Sequence, residues 1–88
     1  MVSIKTMALS AVLSLIAGSA LAAVQCTKEP KSKWMSEKDM KAKIEGQGYK
    51  IKTFKTPGTC YEIYGHDKDG KKVEIYFNPV DGSIVKQR

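Results

Sequence analysis

The chain has 88 residues, with 15 Lys or Arg and 9 Asp or Glu, and a formal net charge of +6. This length excludes a multidomain architecture and leaves room for one domain near the lower size limit of a single core. The basic charge does not indicate nucleic-acid binding, because the acidic residues are interleaved with the basic ones as on an ordinary solvated surface.

Residues 1–22 are predicted to be a secretory signal peptide. Lys5 is their single charge, an apolar and small-residue run extends from Met7 to Ala17, and Ala20-Leu21-Ala22 has the small-x-small pattern of a cleavage site. The apolar run is shorter than the roughly 20 residues that a spanning helix needs, so we expect no stable membrane anchor after cleavage. Residues 23–88 are therefore expected to be periplasmic, with secretion as the alternative.

The two cysteines, Cys26 and Cys60, both remain after cleavage and are predicted to form a disulfide. An even number of cysteines in an exported chain favours pairing, and a domain this small often needs a covalent staple. A redox pair would normally have Cys-x-x-Cys spacing, which these residues lack. The bond would tie a polar lead-in at residues 23–35, predicted to be extended, to a domain at residues 36–88.

One helix is predicted from Glu37 to about Gln47. Ser36 is the candidate N-cap residue, and Gly48 is well placed to end the helix. Met40 and Ile44 share one face at i, i+4 spacing and are expected to point into the core.

A first strand is predicted at residues 49–56. Tyr49 and Ile51 alternate with lysines, but Phe54 falls on the other parity, so we expect a bulge near Thr53.

A central hairpin is predicted to follow. Strict alternation of apolar and polar residues from Tyr61 to Tyr64 and from Val73 to Phe77 is typical of strands with one buried face. Asp67–Gly70 supplies the turn, and a short last strand starts at Ile84.

The predicted fold is therefore α+β, with one helix packed on an antiparallel meander of three to four strands and stapled by one disulfide. The predicted core consists of Trp34, Met40, Ile44, Tyr49, Ile51, Tyr61, Ile63, Val73, Ile75, Phe77 and Ile84.

Several short pieces, taken in order, resemble the small periplasmic members of the PepSY family. These pieces are Trp34-Met35-Ser36, Gly48-Tyr49, Cys60-Tyr61-Glu62-Ile63-Tyr64, Asp69-Gly70-Lys71-Lys72-Val73-Glu74-Ile75-Tyr76 and Asn78-Pro79-Val80-Asp81-Gly82-Ser83-Ile84-Val85. The resemblance spans Trp34 to Val85 and implies a non-enzymatic module that regulates peptidases outside the cytoplasm. It supplies no catalytic residues, and Asn78 stands where Asp is usual in the family.

No catalytic residues, cofactor or metal ligands are predicted. His66 is the single histidine, and no nucleophile and orienting group accompany it in a motif. The cluster of His66, Asp67 and Asp69 lacks the closing Glu of an EF-hand loop. Met35, Met40 and His66 could suit copper, but positions beside the helix start and in the core explain the two methionines more simply.

The remaining candidates are partner-binding surfaces. Tyr64 and Tyr76 are expected opposite each other on the outer sheet face, as an interface or as a stabilising aromatic pair. Lys50 and Lys52 form a candidate patch for anionic partners. An edge strand could also bind a peptide by strand addition. We therefore expect a PepSY-type binding module for a protein or peptide, with a peptidase as candidate partner. The alternative is a periplasmic sensor or carrier of a small ligand or metal.

Overall fold

The computed structural model describes residues 23–88, so the predicted signal peptide lies outside the described residues. In chain order the elements are a 3-10 turn at Lys31–Lys33, helix α1 at Glu37–Gly46, and strands β1 at Lys50–Lys55, β2 at Tyr61–His66, β3 at Lys72–Phe77 and β4 at Ile84–Gln87. The predicted α+β fold is confirmed. No helical segment within residues 23–88 could span a membrane.

Helix α1 begins where the sequence predicts, because Ser36 caps it. The Ser36 hydroxyl accepts a hydrogen bond of 3.0 Å from the Asp39 backbone N–H, which satisfies one unpaired donor of the first turn. The helix ends at Gly46, and Gly48 follows in the left-handed region with a φ of 101°. Glycine adopts this conformation without the steric cost that a side chain would add.

The four strands form an antiparallel meander in the order β1-β2-β3-β4, so β1 and β4 are its edges. The predicted bulge is present, because the register between β1 and β2 shifts between Ile51 and Thr53. As a result Ile51 and Phe54 both pack against the core despite their unequal parity in the sequence.

Helix α1 covers one face of the sheet, and the core lies between them. Met40 and Ile44 of the helix are fully buried, as are Ile63, Ile75 and Phe77 of the sheet. Tyr61 and Val73 complete the buried cluster, and Trp34, Met35, Tyr49, Ile51 and Phe54 pack around it. Apart from Ile84, every predicted core residue lies in or against this cluster.

The prediction that Ile84 belongs to the core is wrong. Ile84 is 47% exposed, although it pairs with the fully buried Phe77. The β3–β4 ladder is irregular beside this pair, and all four residues of β4 are exposed. The helix therefore does not cover β4.

The prediction of an extended lead-in is wrong at Lys31–Lys33, which form the 3-10 turn. The Lys33 N–H donates to the Pro30 carbonyl at 2.9 Å, and Pro30 has the φ near −65° that its ring imposes. Trp34 follows this turn and packs against the core, where its ring lies edge-on to the Tyr61 ring with the two ring centroids 5.5 Å apart.

Two hydrogen bonds then fix the chain just before the helix. The Met35 N–H donates to the Pro79 carbonyl at 2.8 Å, and the Tyr61 hydroxyl donates to the Met35 carbonyl at 2.7 Å. The segment before the helix is therefore attached to β2 and to the turn between β3 and β4.

Cys26 and Cys60 form the predicted disulfide, with their Cα atoms 5.1 Å apart. Both residues are buried, and the Cys26 N–H donates to the Thr59 hydroxyl at 2.9 Å. The bond joins the start of the described chain to the residue before β2, across 34 positions of sequence.

Candidate functional site

The tripeptide Glu-Ile-Tyr occurs twice in the central hairpin, at residues 62–64 of β2 and 74–76 of β3. The antiparallel register is centred on the pair Ile63 and Ile75, so each glutamate lies opposite the tyrosine of the other strand. Because both isoleucines point into the core, the neighbouring side chains lie on the opposite face. This outer face carries Glu62, Tyr64, Glu74 and Tyr76.

Glu62 is the most unusual residue of the outer face, because only 4% of its surface is exposed. Its Oε2 atom is buried and has no hydrogen-bond partner among the described residues. Burying a carboxylate is costly unless the charge is paired, so this side chain requires either a proton or a donor.

Glu74 is held by Arg88, which follows β4. The two residues exchange both backbone hydrogen bonds, at 2.8 and 2.9 Å, so their side chains emerge next to each other. The Arg88 Nε lies 3.1 Å from Glu74 Oε1, and its Nη2 donates to the Tyr76 hydroxyl at 3.1 Å. The guanidinium carbon also lies 5.5 Å from the centroid of the Tyr76 ring.

Glu62 and Glu74 are diagonal neighbours on the outer face, and their pKa values are shifted in opposite directions. Burial, followed by the interaction with the Glu74 carboxyl group, raises the pKa of Glu62 above its usual range. The interaction with Glu62, assisted by Arg88, lowers the pKa of Glu74 to about 2. Glu74 therefore carries a negative charge at neutral pH, and Arg88 pairs with it.

The two predicted tyrosines occupy the outer face, but the prediction that they lie opposite each other is wrong. The hairpin register pairs Tyr64 with Glu74 and Tyr76 with Glu62, so the rings are diagonal neighbours. Tyr64 is 38% exposed, and its contact with Glu74 raises its pKa to about 12. Tyr76 is half-buried beneath Arg88.

The two predicted lysines lie on the edge strand β1. Lys50 pairs with His66, whereas Lys52 occupies the register shift. Lys52, Tyr64 and His66 line a shallow cavity of about 190 Å³. Lys55, further along β1, places its Nζ 5.3 Å from the centroid of the Tyr64 ring. The basic edge and Tyr64 are therefore contiguous.

Sequence reasoning missed Glu62, Glu74 and Arg88. The available signal was the repeated Glu-Ile-Tyr combined with the turn between the two copies, because turn length sets the hairpin register. Two copies placed symmetrically about that turn bring each glutamate opposite a tyrosine. Nothing comparable marked Arg88, whose position depends on the irregular ladder between β3 and β4.

The chemistry available to the outer face is charge recognition. Within residues 23–88, no three His, Cys, Asp or Glu side chains come together as a metal would require. A cavity of about 370 Å³ lies beside the helix start, between Lys31 and Tyr61, and is open to solvent. It is separate from the carboxyl groups of Glu62 and Glu74.

Replacing Glu62 with Gln is expected to raise the free energy of unfolding at pH 7 by about 1 kcal/mol or more. The glutamine side chain would keep the shape and donate to Glu74, without the cost of a buried charge. The raised pKa of Glu62 in the folded state means that its contribution is favourable below the unfolded pKa and is lost as the pH rises through the folded pKa. The gain from Glu62→Gln should therefore increase in urea titrations as the pH rises from the unfolded pKa of Glu62 towards its raised folded pKa.

The contribution of Glu74 to folding stability has the opposite pH dependence. Its folded pKa of about 2 is depressed, so its contribution to stability is present above the unfolded pKa and is lost as the pH falls towards 2.

Tyr64, Tyr76 and Arg88 also face Glu62 and Glu74, so these three residues are left unchanged when Glu62→Gln is compared with wild type. Glu29→Gln, at an exposed position of the lead-in, is the control and should change stability by less than about 0.5 kcal/mol. A pH-independent difference in stability between Glu62→Gln and wild type would contradict the raised pKa of Glu62.

Comparison with known proteins identifies the family. A family model described as "peptidase propeptide and YPEB domain" matches residues 6–88, which include the helix, all four strands and both cysteines. No curated protein and no solved structure matches the chain. Because this match covers nearly the whole chain, it shows that the chain belongs to the PepSY family of peptidase propeptide and YPEB domains.

Proposed function

We propose that this protein is a non-enzymatic binding module of the cell envelope that contacts a peptidase or another envelope protein and restrains it. Membership of the PepSY family supports a propeptide-like regulatory role. The predicted signal peptide supports a periplasmic or secreted location. In this proposal the partner is held by surface contacts, with no covalent chemistry.

The observation that carries the proposal is the edge strand β1. It pairs with β2 on one side only, and four of its six residues are exposed. An edge strand offers backbone donors and acceptors to an extended peptide, which gives affinity without a deep pocket. A peptidase partner would bring such an extended segment.

The charge of β1 restricts which strand can pair with it. Lys50, Lys52 and Lys55 make the edge basic, so two copies of this chain would bring like charges together. A strand that carries Asp or Glu would instead be attracted. The exposed Tyr64 lies next to this edge and extends the surface that a partner can cover.

The test uses the oxidised protein as bait in periplasmic extract, with captured proteins identified by mass spectrometry. Capture of one dominant peptidase or envelope protein is expected, and Lys52→Glu combined with Tyr64→Ala should reduce its recovery at least about tenfold. Lys38→Glu changes the same charge on the helix, in the layer opposite the outer face, and should leave recovery unchanged.

A captured peptidase should also hydrolyse its substrate more slowly when the protein is added, and the double variant should restore the rate. Equal recovery by wild type and by Lys52→Glu/Tyr64→Ala would contradict binding at β1. Failure to capture any protein would favour the small-ligand or metal carrier instead.

A further inference from the structure

We infer that the outer face contains a guanidinium-binding site, formed by Glu74, Tyr76 and Glu62, that Arg88 occupies in the free protein and that an arginine side chain of a partner protein occupies in the complex. The inference rests on the proposed function only in taking a protein as the source of that arginine.

The first observation is the way in which Arg88 is bound. Its guanidinium donates to both oxygens of Glu74, at 3.1 and 3.5 Å, and to the Tyr76 hydroxyl, while its carbon lies 5.5 Å from the centre of the Tyr76 ring. Carboxylate pairing in the plane combined with an aromatic ring above or below is the arrangement that guanidinium favours. The protein thus displays the chemistry that its own site recognises.

The second observation is the acceptor that Arg88 does not use. Glu62 Oε2 is buried on the same face, where Glu62 is the diagonal neighbour of Glu74, and has no hydrogen-bond partner among the described residues. The backbone ladder between β3 and β4 fixes where Arg88 can reach, and its donors go to Glu74 and Tyr76. A guanidinium that enters from outside is not tied to β4, and its five N–H donors suffice for the oxygens of both carboxyl groups.

Displacement of Arg88 costs little, because its side chain is 52% exposed and exposed ion pairs contribute little to stability. Lysine is a poorer occupant, since its ammonium cannot donate in a planar fork or stack on Tyr76. The site should therefore prefer arginine over lysine and should discriminate strongly against the neutral isostere citrulline.

The experiment is an NMR titration of the oxidised protein with the peptide acetyl-Gly-Arg-Gly-amide, with the lysine and citrulline peptides as comparators. Amide shifts are expected in β2 and β3 around Glu62 and Tyr76. Arg88→Ala should tighten binding about fivefold by vacating the site. Glu74→Gln should weaken binding at least about tenfold, and Tyr76→Phe, which keeps the ring, should weaken it less.

Lys38→Ala is the matched control, because it removes one positive charge from the exposed face of the helix. If Arg88→Ala binds the arginine peptide no more tightly than Lys38→Ala does, the inference is wrong. It is equally wrong if the citrulline peptide binds as well as the arginine peptide, or if the shifts fall outside the outer face. Should Glu74→Gln fail to fold, Tyr76→Phe and Arg88→Ala still decide the matter.

The two proposals can fail separately. Peptide binding at the outer face without capture of an envelope protein would retain the guanidinium site and remove the proposed function. If the Glu74→Gln variant still captures the envelope protein and the arginine peptide does not bind, the proposed function is supported and the guanidinium site is contradicted.

Discussion

Reduction of the Cys26–Cys60 disulfide is expected to lower the free energy of unfolding by about 3–4 kcal/mol, because the bond closes a loop of 34 positions in the unfolded chain. A domain of this size has a total stability of about 3–10 kcal/mol, so the reduced protein should be close to unfolding at 37 °C. Urea titrations of the oxidised protein, with and without reductant, measure the difference directly.

The double variant Cys26→Ala/Cys60→Ala provides the control for the reductant itself. It should be as unstable as the reduced wild type, and reductant should not change its unfolding curve. The disulfide would be structurally unimportant if reduced and oxidised wild type unfolded within about 1 kcal/mol of each other.

Gly65→Ala is expected to destabilise the domain by about 3 kcal/mol, the upper range of overpacking substitutions. Gly65 is buried in β2, where it pairs with Ile51 of β1, and an added Cβ would overlap the backbone carbonyl oxygen of Lys50. The same Cβ would lie 3.2 Å from the Ile51 Cα. Backbone atoms cannot move aside as a flexible side chain can, so the start of β1 must separate from β2.

Gly46→Ala is the matched control for this substitution. Gly46 lies in helix α1, and an added Cβ there meets no atom within 4 Å. Alanine is the better helix former, so Gly46→Ala should stabilise the domain by about 0.5–1 kcal/mol. Thermal unfolding of both variants should therefore move in opposite directions. If Gly65→Ala has the same thermal unfolding midpoint as wild type, β1 can move away from β2 at no cost in stability and the prediction is wrong.

The backbone contacts of Gly65 also show what a sequence pattern does not predict about the sheet, namely how closely two strands approach. The alternation from Tyr61 to Tyr64 predicts a strand and its buried face, yet it does not show that β1 lies against Gly65 closely enough to exclude a methyl group. That closeness depends on the register shift at Lys52. The position of Phe54, out of phase with Tyr49 and Ile51, predicted a bulge there but not the distance between the two strands.

The candidate site was predictable only in part. Tyr64 and Tyr76 were placed on the outer face correctly, because side chains alternate along a strand. The prediction that the two tyrosines pair with each other was wrong. The register of β2 against β3 depends on the turn between them, and a change of register changes every cross-strand neighbour. Whether they or the lysines contact a partner stays a prediction.

By itself the sequence determined the helix with its Ser36 cap, the order of the strands, the bulge near Thr53 and the cysteine pairing. These features depend on local chemistry or on the even cysteine count, and they need no knowledge of distant contacts. The tertiary structure alone decided that Glu62 is buried, that Arg88 binds Glu74 and that Ile84 is exposed. Each of these depends on which surface another element covers, and that is a property of the packed sheet rather than of any segment in it.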